Sequence, residues 1–121
     1  MTADKIVTVM RAHGVRPGPV EIFAVILFRD GQPFLVEEIA RGTSNSVFVW
    51  IANVFRSAFL RKATEMVIVH THPQGSIPSR ADRKLTRILR REGKLRNIEI
   101  LDHIVIGQGE YTSIRATSWY W

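Results

Sequence analysis

Apolar positions along the chain switch between a period near two and a period near four, and the switches divide it into elements. Ala3–His13 is predicted as a short helix ended by Gly14, with Pro17-Gly18-Pro19 as a stiff connector. Val20–Arg29 is rich in β-branched and aromatic residues, Asp30-Gly31 is a strong hairpin turn, and Pro33–Ala40 reads as the returning strand. After the loop chemistry of Gly42–Ser46, Val47, Ile51, Val54 and Ala58 mark one helical stripe and Phe48, Phe55 and Phe59 the adjacent one, predicting a largely buried helix. Met66–His70 is a continuous apolar run, long enough for a central strand and too short for a helix. Pro73–Pro78 excludes regular structure. Ser79 then opens a helix to about Glu92, ended by Gly93, with Leu85, Ile88 and Leu89 inward and the arginines outward. Ile98–Ile106 and Tyr111–Arg115, separated by Gly107-Gln108-Gly109, predict a final hairpin. The sum is a mixed α/β layer with two main helices and a short N-terminal one.

Length and composition set the class. No repeat, low-complexity tract or charged tail divides the chain, so residues 1–121 are expected to form one domain, burying about two thirds of the surface that the unfolded form would expose. Hydrophobic residues make up 45% and charged residues 23%, near globular averages. Ile22–Phe28 and Val47–Ile51 fall far short of the roughly 18 residues that cross a bilayer, and Asp4 and Lys5 stand where a signal peptide would be apolar. A cytoplasmic protein without a membrane partner is expected. The absence of cysteine excludes disulfides, thiolate catalysis and Cys-ligated zinc, leaving His, Asp and Glu as the strong metal ligands.

The informative segment is His70-Thr71-His72-Pro73 followed by Pro78-Ser79-Arg80-Ala81-Asp82. Residues two apart in an extended backbone point to one side with Cα atoms roughly 6.6 Å apart, so two imidazoles can converge on one ion. Asp82, in the first turn of the next helix, can be folded back over the same point as a hard oxygen ligand. Two histidines, a carboxylate and an open fourth position make a common catalytic zinc arrangement. A plainer reading exists for each part: a surface HxH is often incidental, and Ser79-x-x-Asp82 fits an ordinary helix N-terminus with Ser79 as N-cap. Neither explains why the two features lie ten residues apart across a Pro- and Gly-containing loop at the end of a buried strand.

Taken together, these segments resemble the JAMM (JAB/MPN+) metalloprotease motif, a glutamate on an early strand followed by HxHP, a short loop and S-x-x-D. Val20–Phe28, Arg41–Ser46, His70–Gly75, Pro78–Asp82 and Leu101-Asp102-His103-Ile104-Val105-Ile106-Gly107 follow the family order over nearly the whole chain, and the last points to the RadC-like branch. The resemblance implies the JAB/MPN, cytidine-deaminase-like fold. It implies that His70, His72 and Asp82 hold Zn2+ with a water completing the tetrahedron, that Glu21 takes the water's proton and passes it to the leaving amine, and that Ser79 hydrogen-bonds the oxyanion. It further implies a zinc-dependent metallopeptidase or isopeptidase acting on a peptide or isopeptide-linked protein, often a ubiquitin-like modifier. Among other glutamates, Glu65 lies about 17 Å of strand from His70 and on the opposite face, whereas Glu37 and Glu38 point one to each face of the return strand and are not dismissed by pattern.

The chain departs from the RadC-like pattern in three ways. Its loop between HxHP and S-x-x-D is shorter by one residue, so Asp82 must reach the ion by a tighter path. Where relatives read much like VHPRE it has Val49-Trp50-Ile51-Ala52-Asn53, which removes charge from the start of the long helix. The resemblance implies a helical DNA-binding region in full-length relatives, and the residues before Glu21 are not expected to form it. His103 is expected to be a packed histidine bonded to backbone, and His13 to cap a helix end.

Charge supports a second reading. Seventeen Lys and Arg against eleven Asp and Glu give +6, and Arg80, Arg83, Lys84, Arg87, Arg90, Arg91, Lys94 and Arg96 cluster with only Asp82 and Glu92 to counter them. That helix is either a solvated face or a nucleic-acid contact, the latter defining a nucleic-acid-associated module with the metal structural or absent. Trp119-Tyr120-Trp121 is suited to closing over the core or to a homodimer contact, with intramolecular packing favoured.

Overall fold

The computed structural model describes residues 1–42 and 47–121, with the side chains of the second stretch described from Ile51 onward. The elements run α1 (Ala3–Ala12), β1 (Ile22–Arg29), β2 (Gln32–Arg41), α2 (Val47–Leu60), β3 (Glu65–Thr71), α3 (Arg80–Leu95), β4 (Glu99–Gly107), β5 (Glu110–Ser113) and the short α4 (Ile114–Thr117). One mixed sheet has the order β2-β1-β3-β4-β5, with β3 and β4 parallel and all other neighbours antiparallel. The parallel pair needs a crossover, which α3 provides. This is the mixed α/β architecture expected of the JAB/MPN fold. Among the described residues, no helix is long and apolar enough to cross a membrane. The expected loop chemistry of 43–46 and the side chains of the variant segment 49–50, like those of Val47 and Phe48, lie outside the described residues.

The central strands carry apolar residues on both faces because each face is covered. Phe23, Val25, Leu27, Met66 and Ile68 pack under α2 and α3 with Val54, Phe55, Ala58, Leu85 and Leu89. Ala24, Ile26, Phe28, Val67, Val69, Ile104 and Ile106 face α1, whose Ile6, Val7 and Met10 cover them. Parity thus assigns odd positions of β1 and even positions of β3 to the α2/α3 side. Between Met66 and Val67 the β3–β4 register slips, pairing Met66 with Ile100 but Val67 with Asp102. The extra residue, Leu101, forms a bulge that sends Ile100 and His103 to the same side despite their opposite parity.

Helix ends account for most differences from the sequence reading. Each of the three long helices closes with the Schellman pattern: Val15 N–H bonds Met10 C=O at 2.9 Å, Ala63 N–H bonds Ala58 C=O at 2.9 Å, and Ile98 N–H bonds Gly93 C=O at 2.8 Å. The left-handed residues are Gly14, Lys62 and Asn97 respectively. Because Asn97 makes the turn, α3 runs past Gly93 to Leu95, contrary to the stop expected at Gly93. Gly93 is there for packing: a Cβ would stand 2.4 Å from Ile98 O. The stretch expected as strand Tyr111–Arg115 ends at Ser113, whose hydroxyl accepts from Ala116 N–H and starts α4. The helix expected to be largely buried leaves Phe59 78% and Leu60 63% exposed, so Phe59 does not extend a core stripe. Ile88 is only half-buried, between the inward Leu85 and Leu89.

Candidate metal centre

Strand pairing delivers the imidazoles. His70 pairs with Phe23 of β1 and Val105 of β4, so it is central in the sheet and buried. His72 N–H bonds Ile106 C=O at 2.9 Å, carrying the ladder one step beyond β3. Thr71, between them, accepts Ile22 N–H on its hydroxyl at 2.8 Å and ties the entrance of β1 to the motif. Glu21 precedes β1 and by parity shares the α3 side with both histidines, its C=O accepting Gly42 N–H at 2.8 Å.

The side chains meet closely. Glu21 Oε1 lies 2.9 Å from His70 Nε2 and 3.9 Å from His72 Nε2, and ligand atoms of Glu21, His70 and His72 all fall within 4.8 Å of one another. Asp82 straddles the rings, with Oδ1 3.1 Å from His70 Nδ1 and Oδ2 3.1 Å from His72 Nε2. The two imidazoles stand edge to face at 4.9 Å between centroids. Among the described residues these three form the group able to hold a metal ion, with Asp82 against both rings. Glu21 is the wet edge of the cluster, its side chain 37% exposed against 7% for that of Asp82.

Asp82 does two things at once. Its N–H bonds Ser79 Oγ at 3.0 Å while its Oδ2 accepts Ser79 N–H at 2.8 Å, a reciprocal capping box at the start of α3. Helix capping and approach to the histidines, opposed as alternatives in the sequence, are properties of one carboxylate. Burial disfavours its charge, but the neighbouring His70 imidazole and the Ser79 N–H outweigh burial and hold the carboxyl well below its ordinary range. Ser79 Oγ accepts from Asp82 N–H, which leaves its own O–H available to donate.

The loop between His72 and Ser79 is held against the β4–β5 turn. Gln108 N–H bonds Gln74 C=O at 2.6 Å, Ser76 N–H bonds Glu110 Oε1 at 3.0 Å, and the Ser76 and Thr112 hydroxyls are 3.0 Å apart. Gly107 allows this approach, since a Cβ there would lie 2.6 Å from backbone atoms of Gln74, Gly75 and Ser76. The tight path is therefore built by long-range contacts that loop length alone does not reveal. Gly107 is the sequence signal that could have located them.

The remaining candidates separate cleanly. Glu65 accepts Gly31 N–H at the β1–β2 turn, and Glu38 pairs with Arg41. Glu37 accepts the Ser57 hydroxyl and faces Arg61 at 3.5 Å. None of them joins the cluster. His13 caps α1, its Nδ1 2.8 Å from Val9 C=O. His103 is packed as expected, but its ring partner is a side chain instead of backbone: Nδ1 lies 2.7 Å from Thr86 Oγ1, and Thr86 donates onward to Asp82 C=O at 2.8 Å. Sequence reasoning missed Thr86, which is buried and joins β4 to the helix turn that carries Asp82.

Two buried nitrogens, His70 Nδ1 and His103 Nε2, make no hydrogen bond. The 3.1 Å approach of Asp82 Oδ1 to His70 Nδ1 lies off the axis along which a ring N–H donates. Imidazole nitrogens and carboxylate oxygens with no ammonium or guanidinium among them suit a divalent cation such as zinc. The donor set fits.

His103 also sets a pH dependence. Burial, with the nearby His70, lowers its pKa from the ordinary 6.5 to about 3. An unfolded chain therefore takes up this proton first, and stability falls as pH drops from 6.5 towards 3, at a limiting slope of about 1.4 kcal/mol per pH unit. Asp82, ionised in the fold, adds a loss of the same sign below 3.8. Denaturant melts of chelator-treated protein between these limits are expected to show the slope, and His103→Gln to remove about one proton of it.

A mixed sheet whose central strand presents paired imidazoles to a capped carboxylate on the crossover helix defines a class of α/β domain with a candidate metal site. The family model described as RadC-like JAB domain matches residues 2–119. The chain is 43% identical over 98 residues to the UPF0758 protein STH371 of Symbiobacterium thermophilum, covering 79% of this chain and 42% of that protein. It is 38% identical over 102 residues to a UPF0758 protein of Histophilus somni strain 2336, covering 82% of this chain and 46% of that protein. The chain belongs to the RadC-like JAB domain family. It spans less than half the length of these curated relatives.

Proposed function

We propose that this domain is a zinc-dependent hydrolase of the JAMM type acting on peptide or isopeptide bonds. The observation that carries the reading is the convergence of Glu21, His70 and His72 within 4.8 Å, with Asp82 3.1 Å from each ring. His70, His72 and Asp82 would hold the ion, and Glu21, at the exposed edge of the cluster, would move a proton at Oε1. A zinc ion in this setting supplies Lewis acidity and lowers the pKa of coordinated water to about 7.

Glu21 would accept a proton from the attacking water and return it to the departing amine, a role that calls for a carboxylate open to substrate. Ser79 donates its O–H to the oxygen that gains charge when the carbonyl is attacked. That donation is compatible with Oγ accepting Asp82 N–H, since a hydroxyl does both. The Asp82 capping box holds Ser79 and the ligand carboxylate in one rigid turn.

Metal content is the direct test. Protein purified without chelator is expected to carry about one zinc per chain by elemental analysis, and His72→Ala to carry little. Hydrolysis of a peptide or isopeptide-linked substrate should vanish with chelator and return with zinc. Parent protein that takes up no zinc at neutral pH defeats the reading.

A further inference from the structure

The basic helix and the aromatic C-terminal segment form one surface. Ser118, Tyr120 and Trp121 lie along α3, each against a different arginine: Arg83 Nη1 bonds Ser118 Oγ at 3.1 Å, Arg87 lies 5.5 Å from the Tyr120 ring centre, and Arg90 lies 4.5 Å from that of Trp121. Arg83, Arg87 and Arg90 are spaced four and three apart, a single stripe of the helix. Arg115 covers Trp121 at 5.8 Å as well. With its neighbours fastened to the helix, Trp119 is turned outward and is 95% exposed. The tail thus neither closes wholly over the core nor hangs free.

Beside this zipper two depressions share Arg90 and Lys94. One, of about 600 Å³, is lined by Arg90, Lys94, Arg115 and Trp121 among others, and the second, of about 370 Å³, by Arg87, Arg90, Arg91, Lys94 and Tyr120. One carboxylate, Glu99, also lines the larger depression, but it forms no ion pair with these cations among the described residues. Among the described residues the one ion pair made from α3 outward is Arg96–Glu92, at 2.7 Å, and Arg87, Arg90, Arg91 and Lys94 have no carboxylate partner. A solvated helix face needs neither grooves nor fixed aromatic rings. Guanidinium groups interleaved with aromatic faces are what a flexible polyanion with flat bases requires, phosphates on the cations and bases on the rings.

We propose that the face formed by α3 and residues 118–121 binds single-stranded nucleic acid, with Arg91 and Lys94 on phosphates and Trp119 stacking a base. Duplex bases are already stacked on each other and offer no face to Trp119, so the surface prefers single strands. At about 24 Å for its 16 residues, α3 is long enough for a few nucleotides. This inference is independent of the proposed hydrolysis.

The test is fluorescence anisotropy of a labelled oligothymidylate with the full chain, at low salt (about 50 mM) and then in rising salt. Saturable binding that weakens steeply with salt is expected, with duplex of the same length bound more weakly. Trp119→Ala is expected to weaken oligothymidylate binding about ten-fold or more while leaving duplex binding and the melting temperature unchanged. The pair Arg91→Glu with Lys94→Glu, residues that supply none of the zipper contacts named above, should abolish both. Three results overturn the proposal: no binding at low salt, equal loss of single- and double-strand binding in Trp119→Ala, or capture by phosphatidylserine vesicles or polyglutamate as strong as by the oligonucleotide.

Discussion

Glu21→Gln is expected to keep the metal and lose the reaction, by a factor of about 10² to 10⁴ in turnover. The substitution preserves shape and a carbonyl oxygen but removes the ability to accept a proton. It also separates two roles that the geometry brings close together. Glu21 Oε1 is 2.9 Å from His70 Nε2 and belongs to the cluster of convergent donors, so it is near enough to serve as a ligand itself. Its half-open position favours proton transfer, while Asp82, buried and held ionised by Ser79 and His70, is better suited to permanent ligation. Zinc content and rate measured on the same preparations decide between them. Retained zinc with lost hydrolysis supports Glu21 as the base; zinc lost in Glu21→Gln and kept in Asp82→Asn would exchange the two carboxylates. His70→Ala should lose both zinc and activity under either assignment.

Gly107→Ala is expected to cost about 2–4 kcal/mol of stability and to weaken zinc binding more than ten-fold, although residue 107 supplies no candidate ligand atom. The new methyl would lie 2.6 Å from backbone atoms of Gln74, Gly75 and Ser76, none of which can swing away like a side chain. The loop has to move, and with it the connection between His72 and the Asp82 turn. Its three polar anchors on Gln108, Glu110 and Thr112 resist that movement. Gly18→Ala is the control, since nothing lies within 4 Å of a Cβ there and the backbone needs no left-handed conformation. Urea denaturation of both variants with zinc titration of the folded proteins checks the expectation. A Gly107→Ala protein matching the parent in both would show that the loop is not fixed by this close approach.

The motif residues were legible because their signals are local. HxH on an apolar run places two rings on one side of a strand whatever surrounds it, and Ser79-x-x-Asp82 caps a helix through contacts three residues apart. The hairpin at Asp30-Gly31 is equally local, both residues taking positive φ. The two-sided core could also be read from the continuous apolar runs of the central strands.

Tertiary structure decided what depends on partners distant in the chain. The bulge at Leu101 turns His103 towards Thr86, which no alternation pattern along Ile98–Ile106 encodes. Asn97, not Gly93, ends α3, because one residue adopts the left-handed turn while the other is required for clearance of Ile98 O. The loop after His72 lies on the β4–β5 turn at an approach that a Cβ on Gly107 would block, and Asp82 beyond it stands 3.1 Å from each imidazole. Sequence fixes local conformation through sterics and short-range hydrogen bonds; the meeting of Glu21, His70, His72 and Asp82 needs three strands and a helix in register, and that register is set by packing across the whole sheet.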